Sequence, residues 1–115
     1  MHILEIEIPR ITQNPIRNLT SCLGSTFKIE CHAVGFPVPF INWRLNWGHT
    51  CEEPRCFSTN ENGIGVFTVT DARYTDQGAY SCEAINSQGR VFALPDTIVT
   101  IDGCVGALYS INLHK

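Results

Sequence analysis

Apolar and polar residues alternate with a period of two in several short runs of this chain. Phe27, Ile29 and Cys31 share one side of a run whose other side is Lys28 and Glu30, the pattern of a half-buried strand. Ile41, Trp43 and Leu45 alternate in the same way with Asn42, Arg44 and Asn46. Carried two residues further, that alternation sets Trp47 on the apolar side, closing the end of the core; the other reading leaves it exposed as a contact anchor. Val66 to Thr70 turns Phe67 and Val69 inward, and Ala79 to Ile85 forms a further strand. The last strand carries Val91 and Ala93, is interrupted at Pro95-Asp96 and resumes from Ile98 to Ile101. Proline has no N–H for a ladder, so a bulge or strand break is expected there.

Turn residues divide these runs. Pro9 and Pro15 bracket Ile11 and Thr12, which suits an edge strand that switches sheets. Val34 to Pro39, with one glycine and two prolines, is expected to be a loop, and Gly48 to Pro54 is polar and turn-rich. Arg55 to Thr59 reads as a short strand, followed by a tight turn at Asn60-Glu61-Asn62-Gly63. A 3.6-residue period never lasts three turns, so helix is confined to about one turn near Ala72 to Gln77. The fold class that results is all-β, a two-sheet antiparallel sandwich. Residues 1–8 suit either a short strand or a flexible lead-in, 9–104 form the domain, and 105–115 are a tail that is either disordered or packed back as a strand.

Composition narrows the function classes. A chain of 115 residues builds one core and buries roughly two thirds of its unfolded surface. A net charge of −3 with scattered signs offers no basic footprint for nucleic acid. No run approaches the roughly 20 apolar residues of a membrane helix, so membrane insertion is not expected. The N-terminal stretch, with Glu5 and Glu7, holds no apolar signal segment, and the expectation is a module of a larger secreted protein. Six cysteines without a CxxC spacing read as disulfides formed in an oxidising compartment. Asn18-Leu19-Thr20 is an N-glycosylation sequon, which has meaning on that same route.

Reaction chemistry finds little support. His49, Glu52 and Glu53 with Cys51 and Cys56 could be drawn as a zinc or calcium site, but a secreted cysteine pair is far more often oxidised than metallated. His2 and His114 lie in the terminal stretches, His32 follows a core cysteine, His49 is in a loop, and no Gly-x-Ser-x-Gly elbow occurs. No catalytic residue, cofactor or metal is therefore assigned.

Cys31, then Trp43 twelve residues on, then Asp76-x-Gly78-x-Tyr80-x-Cys82 together resemble an immunoglobulin module, pinned between its sheets by a disulfide and at one corner by a tyrosine. The run from Cys82-Glu-Ala to Gly89 looks like the intermediate set of that family, and the resemblance spans about residues 9–101. It implies Greek-key connections, with Asp76 and Gly78 shaping the turn that Tyr80 ties down. Ile41 to His49, Asp76 to Ala84 and Val91 to Asp96 look further like the immunoglobulin modules of the perlecan family, the basement-membrane heparan sulfate proteoglycans. The second tryptophan, Trp47, and Leu94-Pro95-Asp96 carry this narrower resemblance; Cys51 and Cys56 are additional to the general pattern.

That resemblance implies a monomeric module within a large multidomain matrix protein, serving as a spacer and as a surface for extracellular-matrix or cell-surface proteins. It implies no heparan sulfate attachment here, since no Ser-Gly pair with flanking acids occurs. The alternative is an ectodomain module of an adhesion or growth-factor receptor; an intracellular muscle-type module is disfavoured by the sequon and the cysteines. Within the immunoglobulin topology Cys31 faces Cys82 across the sandwich, Cys22 arrives beside Cys104 at one pole, and Cys51 with Cys56 staples a loop. The rival pairing sends Cys104 to a following module. Arg55 is expected to pair with Asp76 as structural support.

Overall fold

The computed structural model describes residues 7–104; the expectations for residues 1–6 and for the tail, 105–115, lie outside the described residues. Among the described residues, nine strands and a single 3₁₀ turn follow one another: β1 (Glu7–Gln13), β2 (Asn18–Cys22), β3 (Phe27–Phe36), β4 (Phe40–Leu45), β5 (Cys56–Glu61), β6 (Ile64–Val69), the turn at Tyr74–Asp76, β7 (Gly78–Asn86), β8 (Gly89–Phe92) and β9 (Thr97–Asp102). One sheet has the order β1-β3-β6-β5. The other has the order β2-β9-β7-β4, with β8 also on β7. All pairs are antiparallel except β2 with β9, which run parallel from Asn18 opposite Ile98 to Cys22 opposite Asp102.

Period-two alternation builds the core. Phe27, Ile29, Cys31 and Ala33 of β3 meet Ile41, Trp43 and Leu45 of β4, with Phe67, Val69, Tyr80, Cys82 and Val99 between the sheets. Tyr80 packs edge-on to Phe27 at 6.2 Å between ring centres. Gly65 brings the sheets close, since a Cβ built there would lie 2.3 Å from Cβ of Ile41.

The chain switches sheets between Gln13 and Asn18, and the strand break falls between Phe92 and Thr97. The tight turn is a two-residue hairpin, Asn62 (φ 53°) and Gly63 (φ 82°), joining β5 to β6. One expectation is corrected. Val34 to Phe36 are not loop but the end of β3, paired to β1 with Val34 opposite Arg10 and Phe36 opposite Glu7. Gly35 allows this, because even a Cβ would come within 3.2 Å of Cα of Pro9. Only Pro37 to Pro39 remain as the connection to β4.

Candidate functional site

The Asp-x-Gly-x-Tyr-x-Cys run acts through four separate contacts. Asp76 is buried and held by both guanidinium nitrogens of Arg55, at 2.7 and 2.9 Å, and by the N–H of Arg73 at 2.8 Å. Burial opposes its charge, yet these hydrogen bonds outweigh that and hold the carboxyl below its ordinary value. Arg55 also donates to the carbonyls of Thr70 and Asp71, which binds β5 to the turn beyond β6. The Tyr80 hydroxyl donates to the Asp76 carbonyl at 2.6 Å. Burial, reinforced by the Asp76 charge, pushes that phenol well above its usual value. Gly78 (φ 143°) leaves room for Asn46, whose side chain a Cβ would meet at 2.5 Å. Cys82 is bonded to Cys31, Cα to Cα 6.5 Å, and Trp43 lies directly opposite Cys82 in the β4–β7 register.

Cys22 is bonded to Cys104 and Cys51 to Cys56, with Cα separations of 5.4 and 5.6 Å. The Cys51 and Cys56 sulfurs and an Asp76 carboxylate oxygen lie within 4.8 Å of one another. This donor set does not suit a metal, because disulfide sulfurs are not thiolates and both Asp76 oxygens are taken by Arg55. His49, Glu52 and Thr50 instead border a surface cavity of about 270 Å³ together with Asn42, Trp43, Arg44 and Gly48. Asn18 and Thr20 are both exposed on β2.

Trp47 departs from the alternation that set it in the core. β4 ends at Leu45, and Asn46 (φ 50°) and Trp47 (φ 64°) form a two-residue turn closed by reciprocal bonds between Leu45 and Gly48. Both positive φ values reverse the chain, so the period of two ends there. Asn46 anchors the turn to β7, donating its N–H to the Ala79 carbonyl and accepting the Ala79 N–H at its side-chain oxygen. Trp47 is 61% exposed and meets Phe92 of β8 edge-on, 5.1 Å between ring centres.

From Phe92 the cluster continues across the outer face of β8, β7 and β4. Arg90 lies 5.9 Å over the Phe92 ring and donates to Glu83 at 2.8 Å. Glu83 also accepts from Asn42 at 3.1 Å and from Arg44 at 3.2 Å. Its carboxyl is fully buried although it points away from the core. Burial works against the charge, and the bonds from Asn42, Arg44 and Arg90 more than offset it, so the carboxyl titrates below its ordinary value. Glu83, Arg90, Phe92 and Asn42 belong to no site motif in the sequence. The only signal was alternation, which turns Glu83 outward between Cys82 and Ala84; the convergence of three partners depends on cross-strand register.

Comparisons with known proteins agree with this architecture. The model of the immunoglobulin I-set domain matches residues 9–94. The basement membrane proteoglycan of Caenorhabditis elegans is 54% identical over 93 residues, covering 81% of this chain and 3% of that protein. The basement membrane-specific heparan sulfate proteoglycan core protein of Mus musculus is 43% identical over 93 residues, covering 81% of this chain and 2% of that protein. The chain thus spans only a few per cent of these relatives. Among solved structures, titin domain M7 superposes with a TM-score of 0.77 at 21% identity, covering 88% of this chain and 99% of that one. Tandem Ig repeats of Dlar superpose at 0.70 and 30% identity, covering 84% and 47%.

Proposed function

The chain belongs to the immunoglobulin I-set family, and from that premise we propose that it is a non-catalytic, secreted module of a basement-membrane proteoglycan, separating its neighbours and offering them and other matrix or cell-surface proteins a contact surface. The observation that carries this reading is the 54% identity to a basement membrane proteoglycan over 93 residues. Topology supports the spacer role. The described residues begin at Glu7, opposite Phe36 at one end of β3, and end at Cys104, bonded to Cys22 beyond the other end. The nine steps of β3 separate these points by about 30 Å.

Trp47 supports the contact role. A large ring held in solvent at positive φ is conformationally costly and adds nothing to the core. Tryptophan, with tyrosine and arginine, is enriched among the residues that dominate protein contacts. The Arg44-Glu83-Arg90 network beneath it fixes the face on which it stands.

Localisation of the parent chain tests the reading. Linear staining along basement membranes that survives detergent extraction of cells is the expected result. Staining that leaves with the detergent-soluble membrane fraction would replace the matrix module with a receptor ectodomain.

A further inference from the structure

We infer that the Cys22–Cys104 bond makes this module a tether of limited extension, in which tension along the parent chain bypasses strands β3 to β9; the inference rests on the spacer reading above. Tension applied between Glu7 and Cys104 loads the backbone from Glu7 through β1 and β2 to Cys22 and crosses the disulfide to Cys104. The bond spans a sequence separation of 82 residues, so β3 to β9 hang from the load path as a closed loop. The bond sits at the last rung of the parallel β2–β9 ladder, where Cys22 faces Asp102 and the Leu23 N–H bonds the Asp102 carbonyl at 2.7 Å. Cys104 lies two residues past the end of β9, at φ 57°.

The other two disulfides cannot replace this one. Cys51–Cys56 closes a separation of 5 residues inside the loop, and Cys31–Cys82 closes 51. Under load with all bonds intact, only β1 can leave β3 and β2 leave β9. About 16 residues then straighten to ~55 Å from a starting distance of about 30 Å, a gain of ~25 Å. Without the Cys22–Cys104 bond the path runs through Cys31–Cys82, about 48 residues, and the gain rises to ~140 Å. With every disulfide reduced, about 98 residues are released for ~310 Å.

Single-molecule force spectroscopy on the oxidised chain, held between reference modules at both ends, reads these lengths directly. The expected release is ~25 Å for the oxidised chain and ~140 Å for the Cys22→Ser/Cys104→Ser variant, a roughly sixfold change. Should that variant not fold, the unaltered chain pulled in reductant serves instead, with ~310 Å expected. A release of ~140 Å from unaltered, oxidised chain overturns the inference. So does alkylation of Cys22 or Cys104 without reductant, read by mass. Neither result touches the matrix reading, which the localisation experiment decides separately.

Discussion

At the scale of single residues, the two tryptophans of this chain have opposite roles. Trp43 is 7% exposed and Trp47 61%, so iodide should quench the emission of one and spare the other. Trp47→Phe is expected to abolish most of the quenchable emission and to destabilise the fold by less than about 1 kcal/mol, since only the edge contact with Phe92 changes. Quenching that survives the substitution would show that Trp43 is the accessible ring and remove Trp47 as a contact anchor. Asn18 is proposed as a glycan acceptor on a different part of the same sheet. Asn18 and Thr20 stand exposed on β2, beside the exposed Ile98 of β9 and away from the Trp47 turn. Secreted from animal cells, the protein is expected to exceed its polypeptide mass, and Thr20→Ala to remove the excess; a secreted protein of bare polypeptide mass refutes the assignment.

At the scale of elements, the separation of the sheets is set at Gly65. A methyl group there would fall 2.3 Å from the Ile41 Cβ, and neither strand can yield without disturbing its neighbours. Gly65→Ala should therefore cost about 1–3 kcal/mol. Gly48→Ala, with its nearest atom at 3.5 Å, should fall within about 0.5 kcal/mol of the parent. Urea denaturation of the pair separates crowding from a general intolerance of glycine substitution; equal midpoints would mean that the sheets are not in contact at Gly65. The strands were legible in the sequence wherever one face is buried, as in β3 to Ala33 and β4 to Leu45, because burial imposes the period of two. They were not legible where a neighbour's backbone decides. β3 continues through Val34 to Phe36 because β1 pairs with it there, and the two positive φ values after Leu45 end β4 before alternation does. The outer-face cluster was equally hidden: Asn42, Arg44, Glu83 and Arg90 are polar residues at outward positions, and only the β4–β7–β8 register brings them to one carboxylate.

At the scale of the whole molecule, two buried carboxylates link fold stability to acid. Asp76 fastens the corner before β7 to Arg55, and Glu83 joins three strands across the outer face. Both titrate below their ordinary values of 3.8 and 4.5 in the folded state. In acid the unfolded chain therefore binds protons before the folded chain does, which draws the equilibrium toward unfolding. Their stabilisation is complete above the unfolded values and is lost as pH falls through the lowered folded ones. Thermal midpoints should accordingly be level from about pH 5 to 7 and decline steadily below about pH 4. Asp76→Asn leaves Arg55 without its charge partner and should cost about 3 kcal/mol at neutral pH. The same substitution removes the Asp76 share of the proton-binding difference, so the acid limb of the variant is shallower and the two curves draw together as pH falls through the lowered folded value of Asp76. Parallel curves for parent and Asp76→Asn across that range would show that Asp76 is not the group that titrates, leaving Glu83 as the source of the acid limb.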